Sequence, residues 1–213
     1  MATMTRRFTD AFDYARIAHA AQFRKGSNIP YLYHLLGVAS LVIEFGGNEN
    51  QAIAGLLHDV IEDCGEPHRA LIRAQFGDDV ARIVEDCTDG TAEQKAANLD
   101  AESKQAGWTR RKLTYVAHLD QADATTLLVS GCDKLHNARA ILVDLENPDV
   151  GNTVFSRFTG KREGTLRYYQ SLAEIFANRK ISMAAELERT VARIHELAGA
   201  TDRVGLATAQ QSG

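Results

Sequence analysis

The stretch Leu56-Leu57-His58-Asp59-Val60-Ile61-Glu62-Asp63 constrains this chain more than any other, because four ionisable groups interrupt an apolar run. Read as a helix, it stacks His58 over Glu62 and Asp59 over Asp63, since residues four apart share a face. An imidazole and carboxylates pressed against a core stripe are costly to desolvate unless something of compensating charge sits beside them. A divalent cation is the simplest candidate. The His-Asp dipeptide alone is a weak motif. Its weight comes from the apolar Ala52–Leu57 before it, the second acidic pair one turn later, and distant partners elsewhere in the chain.

Helical spacing runs through most of the sequence. From Thr9, read as an N-cap, Phe12, Ala15, Ile17, Ala18 and Ala21 recur on one face as far as Gln22. The polar run Arg24-Lys25-Gly26-Ser27-Asn28-Ile29-Pro30 then breaks the pattern. Tyr31 opens a second helix that Gly46-Gly47 ends, and a third, Glu49–Glu62, carries the opening stretch. Pro67 starts a short helix to Phe76, and another follows Gly77 through Val84. Thr88–Gly107 reads as a mobile loop or exposed helix, with His68, Glu93 and Lys95 solvated. Helices are then predicted over Trp108–His118, Asp123–Leu145, Lys161–Ala177 and Ile181–Ala198, with a loop over Asn152–Gly160. No strand-length alternation or repeat appears. The expectation is an all-α fold, one helical domain over residues 1–198, and a disordered, frayed tail over 199–213.

Composition narrows the function. A formal charge of −4 and a pI near 6.0 give no global basic field, which argues against nucleic acid as the main partner. A local cationic cluster can still hold a small anion. The 45% hydrophobic content supports a substantial core. Cys64, Cys87 and Cys132 are odd in number and lack CxxC spacing, so they read as reduced thiols of a cytosolic chain. No run approaches the roughly 20 apolar residues that span a bilayer, and Met1–Asp10 has no signal-peptide character. The expected location is the cytoplasm, with no membrane partner. Gly-rich phosphate loops and a GxSxG elbow are absent.

Candidate ligands come from three helices. Asp133 sits in Asp123–Leu145, the most apolar of them, with Asn137 one turn on. A buried ion pair is the plain alternative for that carboxylate. His34 opens the second helix, where a lone histidine is more often a cap or a satisfied semi-buried group. Assembled, His34, His58, Asp59 and Asp133 make a mixed nitrogen and oxygen set that suits Mn, Fe, Co or Zn over Ca or Mg. Glu62 and Asp63 would lie one turn beyond it. Acids there can orient a water and take its proton, which makes Glu62 the first choice as general base with Asp63 assisting; capping or salt bridging is the alternative. The Arg24–Pro30 loop is either a solvated turn or a clamp that brings Arg24, Lys25 and Ser27 to a phosphorylated substrate.

A family resemblance joins these pieces. Ala15 to His34, with Gln22-Phe23-Arg24-Lys25 and Pro30-Tyr31-Leu32-Tyr33-His34, resembles the hydrolase domain of RelA/SpoT-type alarmone enzymes. So do the Leu56–Asp63 stretch, Phe76–Val84 and Cys132-Asp133-Lys134-Leu135-His136-Asn137-Ala138-Arg139. That family lies within the all-helical HD superfamily. The resemblance implies Mn-dependent cleavage of the 3′-diphosphate of guanosine tetra- and pentaphosphate, releasing pyrophosphate. It implies His34, His58, Asp59 and Asp133 as metal ligands and Glu62 and Asp63 as the catalytic acids. Arg24 and Lys25 would contact the nucleotide, Asn137 the nucleoside, and Tyr168 would stand where hydrolase-only members place an aromatic. Leu35 replaces a usual Pro, and Ser130 replaces a Lys that many members carry three residues before the metal Asp. With no room for synthetase and regulatory domains, a small hydrolase-only relative is expected. A nucleotide phosphatase acting on the 2′-phosphate of NADPH is the runner-up, and a non-catalytic nucleotide sensor is the third reading.

Overall fold

In the structure, a computed structural model, residues 3–88 and 101–206 are described, apart from the side chains at 101 and 102. Helices α1 (Arg6–Ala18), α2 (Leu32–Glu44), α3 (Glu49–Leu57), α4 (Val60–Cys64), α5 (His68–Phe76) and α6 (Asp78–Cys87) come first. Then follow α7 (Ala101–Gln121), α8 (Ala124–Glu146), a 3₁₀ helix (Gly151–Arg157), α9 (Lys161–Asn178) and α10 (Ala184–Leu197). Among the described residues the only β pairing is an isolated bridge between Phe23 and Pro30, so the all-α expectation is borne out.

Several boundaries differ from the sequence reading. Thr5, not Thr9, caps α1 by accepting the Arg7 N–H, and Thr9 lies inside the helix. The predicted Glu49–Glu62 helix is two helices, broken at His58-Asp59. Asn152–Gly160, read as a loop, holds most of the 3₁₀ helix. Residues 101–107 are helical, while Glu93 and Lys95 lie outside the described residues. His68 is half-buried rather than solvated, bonded through Nδ1 to the Tyr14 hydroxyl at 2.7 Å.

The chain divides into two compact units, residues 1–97 with 122–133 and residues 98–121 with 134–213. In the first, α3 is the centre: Ile53, Leu56 and Leu57 are wholly buried, and α1, α2 and α6 pack around it. Gly55 lets α2 come close, because a Cβ there would stand 3.2 Å from Ala39 Cα. Asn48 and Gln51 form a capping box at the start of α3, and Gln51 Nε2 also donates to the Thr125 carbonyl at 3.2 Å. Thr126 Oγ1 donates to Asp86 at 3.0 Å, and Arg82 pairs with Asp123. These bonds tie the first turn of α8 to α3 and α6, which sets where Asp133 stands two turns later.

In the second unit, α9 packs on α10, α7 and the 3₁₀ helix. Trp108 on α7 lies across Gly160 and Gly164, where a Cβ on either would come within 3.0 Å of the indole. Of the tail expected over 199–213, residues 207–213 lie outside the described residues, and Leu206 is buried and donates its N–H to Ser171 Oγ at 2.8 Å.

Candidate metal centre

Residues next to each other on a helix point about 100° apart, so an ideal helix could not aim both His58 and Asp59 at one point. The break between α3 and α4 solves this. Asp59 takes φ −96°, ψ −3°, in the bridge region between helix and strand, and its Oδ2 comes 3.0 Å from His58 Nε2. His34, in the first turn of α2 and fully buried, brings Nε2 to 3.6 Å from Asp59 Oδ2. The ligand atoms of His34, His58 and Asp59 lie within 4.8 Å of one another. Asp133, in the middle of α8, completes the group, with Oδ1 3.1 Å from His34 Nε2 and 3.5 Å from His58 Nε2.

The donor set fits a divalent cation. His58 Nδ1 donates to the Gly55 carbonyl at 2.9 Å, which fixes the ring and leaves Nε2 for the centre. That Nε2 is buried and makes no well-angled hydrogen bond, although two carboxylates face it. A nitrogen lone pair and carboxylate oxygens converging on one buried point call for positive charge between them. Burial holds the His58 imidazolium down, but the Asp59 and Asp133 carboxylates outweigh it and lift its pKa well above the ordinary value. Burial likewise raises Asp59, yet the His58 imidazole beside it, with His34 close by, carries it well below the usual carboxylate range. Without a metal, the centre draws in a proton.

Around this centre lie groups that sequence reasoning did not single out. The Tyr31 hydroxyl donates to Asp59 Oδ2 at 2.6 Å, and burial and then Asp59 raise its pKa strongly. Gln22 Nε2 donates to Asp63 Oδ2 at 2.7 Å. Tyr31 is three residues before His34, so an i, i+3 reading of the helix start would have flagged it. Burial, with Asp63 and then Asp59, pushes the half-buried Cys64 thiol up to about 11, which keeps it protonated and unreactive.

Glu62 and Asp63 both stand on α4, the first half-buried and the second exposed. The Arg24–Pro30 segment is a closed turn: Arg24 N–H donates to the Ile29 carbonyl at 2.9 Å and Tyr31 N–H to the Gln22 carbonyl at 2.9 Å. Ser27 Oγ bonds weakly to the Arg24 carbonyl and the Ile29 N–H, both at 3.3 Å. The Arg24 guanidinium lies 5.6 Å from the Tyr31 ring centroid, and Lys25 is exposed. Leu35 is core, and its N–H, which a Pro would lack, bonds to the Tyr31 carbonyl. Ser130 is buried. Asn137 stands one turn beyond Asp133 along α8. In the second unit, Tyr168 is buried edge-on to Trp108, with Lys112 Nζ 4.9 Å from its ring. The structure thus gathers the four ligand candidates and the acidic pair in the first unit, and sets Asn137 and Tyr168 in the second.

Known proteins resemble this chain in sequence and in fold. The chain is 36% identical over 132 residues to a probable guanosine-3′,5′-bis(diphosphate) 3′-pyrophosphohydrolase of Synechocystis sp., a match covering 62% of this chain and 16% of that protein. It is 32% identical over 133 residues to the guanosine-3′,5′-bis(diphosphate) 3′-pyrophosphohydrolase of Aquifex aeolicus, covering 62% and 17%. The chain therefore spans about a sixth of these curated relatives. A metazoan ortholog of SpoT, described as hydrolysing ppGpp, shares the fold with a TM-score of 0.56 at 24% identity, covering 85% of this chain and 99% of that one. The Listeria monocytogenes protein lmo0812 superposes with a TM-score of 0.62 at 26% identity, covering 76% and 99%. The HD domain family model matches residues 11–166, a span that takes in all four metal-ligand candidates and the acidic pair, and the chain belongs to the HD domain family.

Proposed function

We propose that this chain is a metal-dependent phosphohydrolase that removes the 3′-diphosphate of guanosine tetra- and pentaphosphate, with Mn as its cation. The observation that carries the reading is the convergence of His34, His58, Asp59 and Asp133 beside a second acidic pair, Glu62 and Asp63. The names of the Synechocystis and Aquifex relatives supply the substrate class. A cytoplasmic location agrees with that substrate, and no helix among the described residues is long and apolar enough to cross a membrane.

In this mechanism the two imidazoles and two carboxylates hold the cation. When bound, a divalent cation supplies Lewis-acid polarisation of a phosphoryl oxygen and acidifies water. Glu62 takes the proton of the attacking water, and Asp63 orients that water. The water oxygen bonds to phosphorus, and the bond from phosphorus to the ribose 3′ oxygen breaks. Its electron pair leaves with the ribose oxygen, which is protonated, and pyrophosphate departs. Arg24, Lys25 and Ser27 bind the anionic nucleotide, Arg24 being steadied over the Tyr31 ring. By the family resemblance, Asn137 is assigned to the nucleoside and Tyr168 is the aromatic expected near the nucleotide. The domain assignment is a phosphohydrolase domain over residues 1–198.

Ser130, where the family resemblance leads one to expect a Lys, weakens the alarmone assignment and keeps a second reading open, in which the phosphate removed is the 2′-phosphate of NADPH. Both substrates carry a phosphate on a secondary ribose hydroxyl, so the same chemistry serves either. The purified chain with Mn, incubated with a nucleotide panel and resolved by anion-exchange chromatography, separates the readings. Guanosine diphosphate and pyrophosphate from guanosine tetraphosphate are expected. Inorganic phosphate from NADPH alone would favour the second reading. Binding without turnover would make the chain a nucleotide sensor.

A further inference from the structure

We propose that Gln22 is a positioning residue for Asp63, its amide aimed by His19 so that it fixes the orientation of the Asp63 carboxylate. The inference rests on the reading of Asp63 as part of the hydrolytic machinery.

Asp63 is exposed on α4, a helix of five residues. Gln22 Nε2 reaches it at 2.7 Å from the far side of the turn, 41 residues earlier in the chain. The backbone of Gln22 is pinned on both sides, its N–H to the His19 carbonyl at 3.0 Å and its carbonyl to the Tyr31 N–H at 2.9 Å. Its side chain is pinned as well. Gln22 Oε1 lies 2.6 Å from His19 Nδ1, and His19 is only 4% exposed.

Chemistry settles which way the amide points. An ionised carboxylate only accepts hydrogen bonds, so the NH₂ of Gln22 must face Asp63 and its oxygen must face His19. His19 therefore donates from Nδ1. The His19 ring is held in turn by stacking on Tyr31, with centroids 5.1 Å apart and planes 22° apart, and by contact with the Cys64 sulfur. Tyr31 is the donor to Asp59. One stacked pair of rings thus supports both acids: Asp59 directly through the phenol, and Asp63 through the His19–Gln22 bond. Groups that orient active residues in this way act through geometry rather than by touching the substrate.

The test uses the full chain with Mn and guanosine tetraphosphate. In Gln22→Met, which keeps length and loses both hydrogen bonds, kcat is expected to fall by about tenfold to a hundredfold with KM within about twofold. Mn affinity by calorimetry and Tm are expected to stay at wild-type values. His19→Asn, whose amide nitrogen can stand where Nδ1 stood but which gives up the ring stacked on Tyr31, is expected to turn over faster than His19→Gln, and equal turnover in the two would overturn the inference. His19→Gln, which places its nitrogen near the Nε2 position instead, is expected to fall as Gln22→Met does. With Asp63→Asn already present, adding Gln22→Met should cost nothing more. Wild-type kcat in Gln22→Met, a loss confined to KM, or an equal further loss in the Asp63→Asn background would overturn the inference. Wild-type turnover in Asp63→Asn would instead sink the role of Asp63 on which it rests.

Discussion

Asp59 and Asp133 face the same two imidazoles from helices built in opposite ways. Asp133 lies in the middle of the 23-residue α8, whose hydrogen-bonded winding runs through it undisturbed. Asp59 lies in the gap between α3 and α4. A single ligand on a helix face asks nothing special of the backbone. Two consecutive ligands do, because helical geometry splays them, and the break at His58-Asp59 brings both to one point. The two acids also differ in what fixes them. The helix that carries Asp133 is set by the Asp123, Thr126 and Gln51 bonds that anchor the start of α8. Asp59 is fixed on the spot, by the Tyr31 hydroxyl.

The sharpest way to break that contrast is Asp133→Ala. Alanine is the best helix former, so far-UV circular dichroism should be unchanged while Mn binding weakens by more than about a hundredfold, beyond the loss typical of outer partners. Activity should vanish with it. A fall in helicity would mean that the carboxylate also holds α8 together. Glu62→Gln should do the reverse of a ligand deletion: Mn affinity stays, and kcat drops by about 10²–10⁴-fold. Full turnover in that variant would remove Glu62 as the base.

The same contrast explains what could be read in the sequence. Asp133 drew notice because a carboxylate inside an apolar helix needs a partner, His58 because it opens an ionisable run in an apolar stretch, and His34 only because other possible ligands exist elsewhere in the chain. The helices themselves followed from 3.6-residue spacing and from Gly46 and Gly77, where the backbone turns to positive φ. The α3–α4 break did not show, because Leu56, Leu57, Val60 and Ile61 keep helical spacing straight across it. The start of α7 was hidden for the opposite reason. Residues such as Ala101, Glu102, Lys104 and Gln105 favour helix but carry no apolar stripe. Tyr31 on Asp59 and Gln22 on Asp63 join residues 28 and 41 positions apart, which local patterns do not reach.

Charge offers a third probe. In the metal-free chain the raised pKa of His58 contributes stability that is full below the ordinary histidine range and is lost as pH rises through the raised value. The depressed pKa of Asp59 contributes stability above the ordinary aspartate range and loses it as pH falls further. Metal-free Tm should therefore peak between these limits. Metal must displace the His58 proton, so Mn affinity should rise by about tenfold per pH unit and level off above the raised pKa. Calorimetry in buffers of different ionisation enthalpy would read the released proton directly, and no proton release would contradict the assignment of His58. Tyr31→Phe, which removes the donor to Asp59 alone, should weaken Mn binding by about tenfold. An unchanged affinity would mean that the backbone break holds Asp59 without help.

The smallest effect is expected at Gly55, where the contrast can be refined rather than broken. A methyl group there would stand 3.2 Å from Ala39 Cα and 3.3 Å from Ala39 N, backbone atoms that cannot swing aside. In Gly55→Ala, overpacking of about 1–3 kcal/mol opposes a gain in helix propensity of about 1 kcal/mol. The net loss should lower Tm by only a few degrees. Its effect on metal should still be measurable, because Gly55 also carries the carbonyl that orients His58, and α2 carries His34. A shift of a few tenths of an ångström between α2 and α3 moves the two imidazoles apart, while Asp133 keeps its anchors at Gln51 and Asp86. Mn affinity should therefore fall by a few-fold with helicity unchanged. A higher Tm with unchanged affinity would show that the two imidazoles tolerate the extra methyl, leaving the Tyr31 hydroxyl and the α3–α4 break as the features that align the α3 side of the centre.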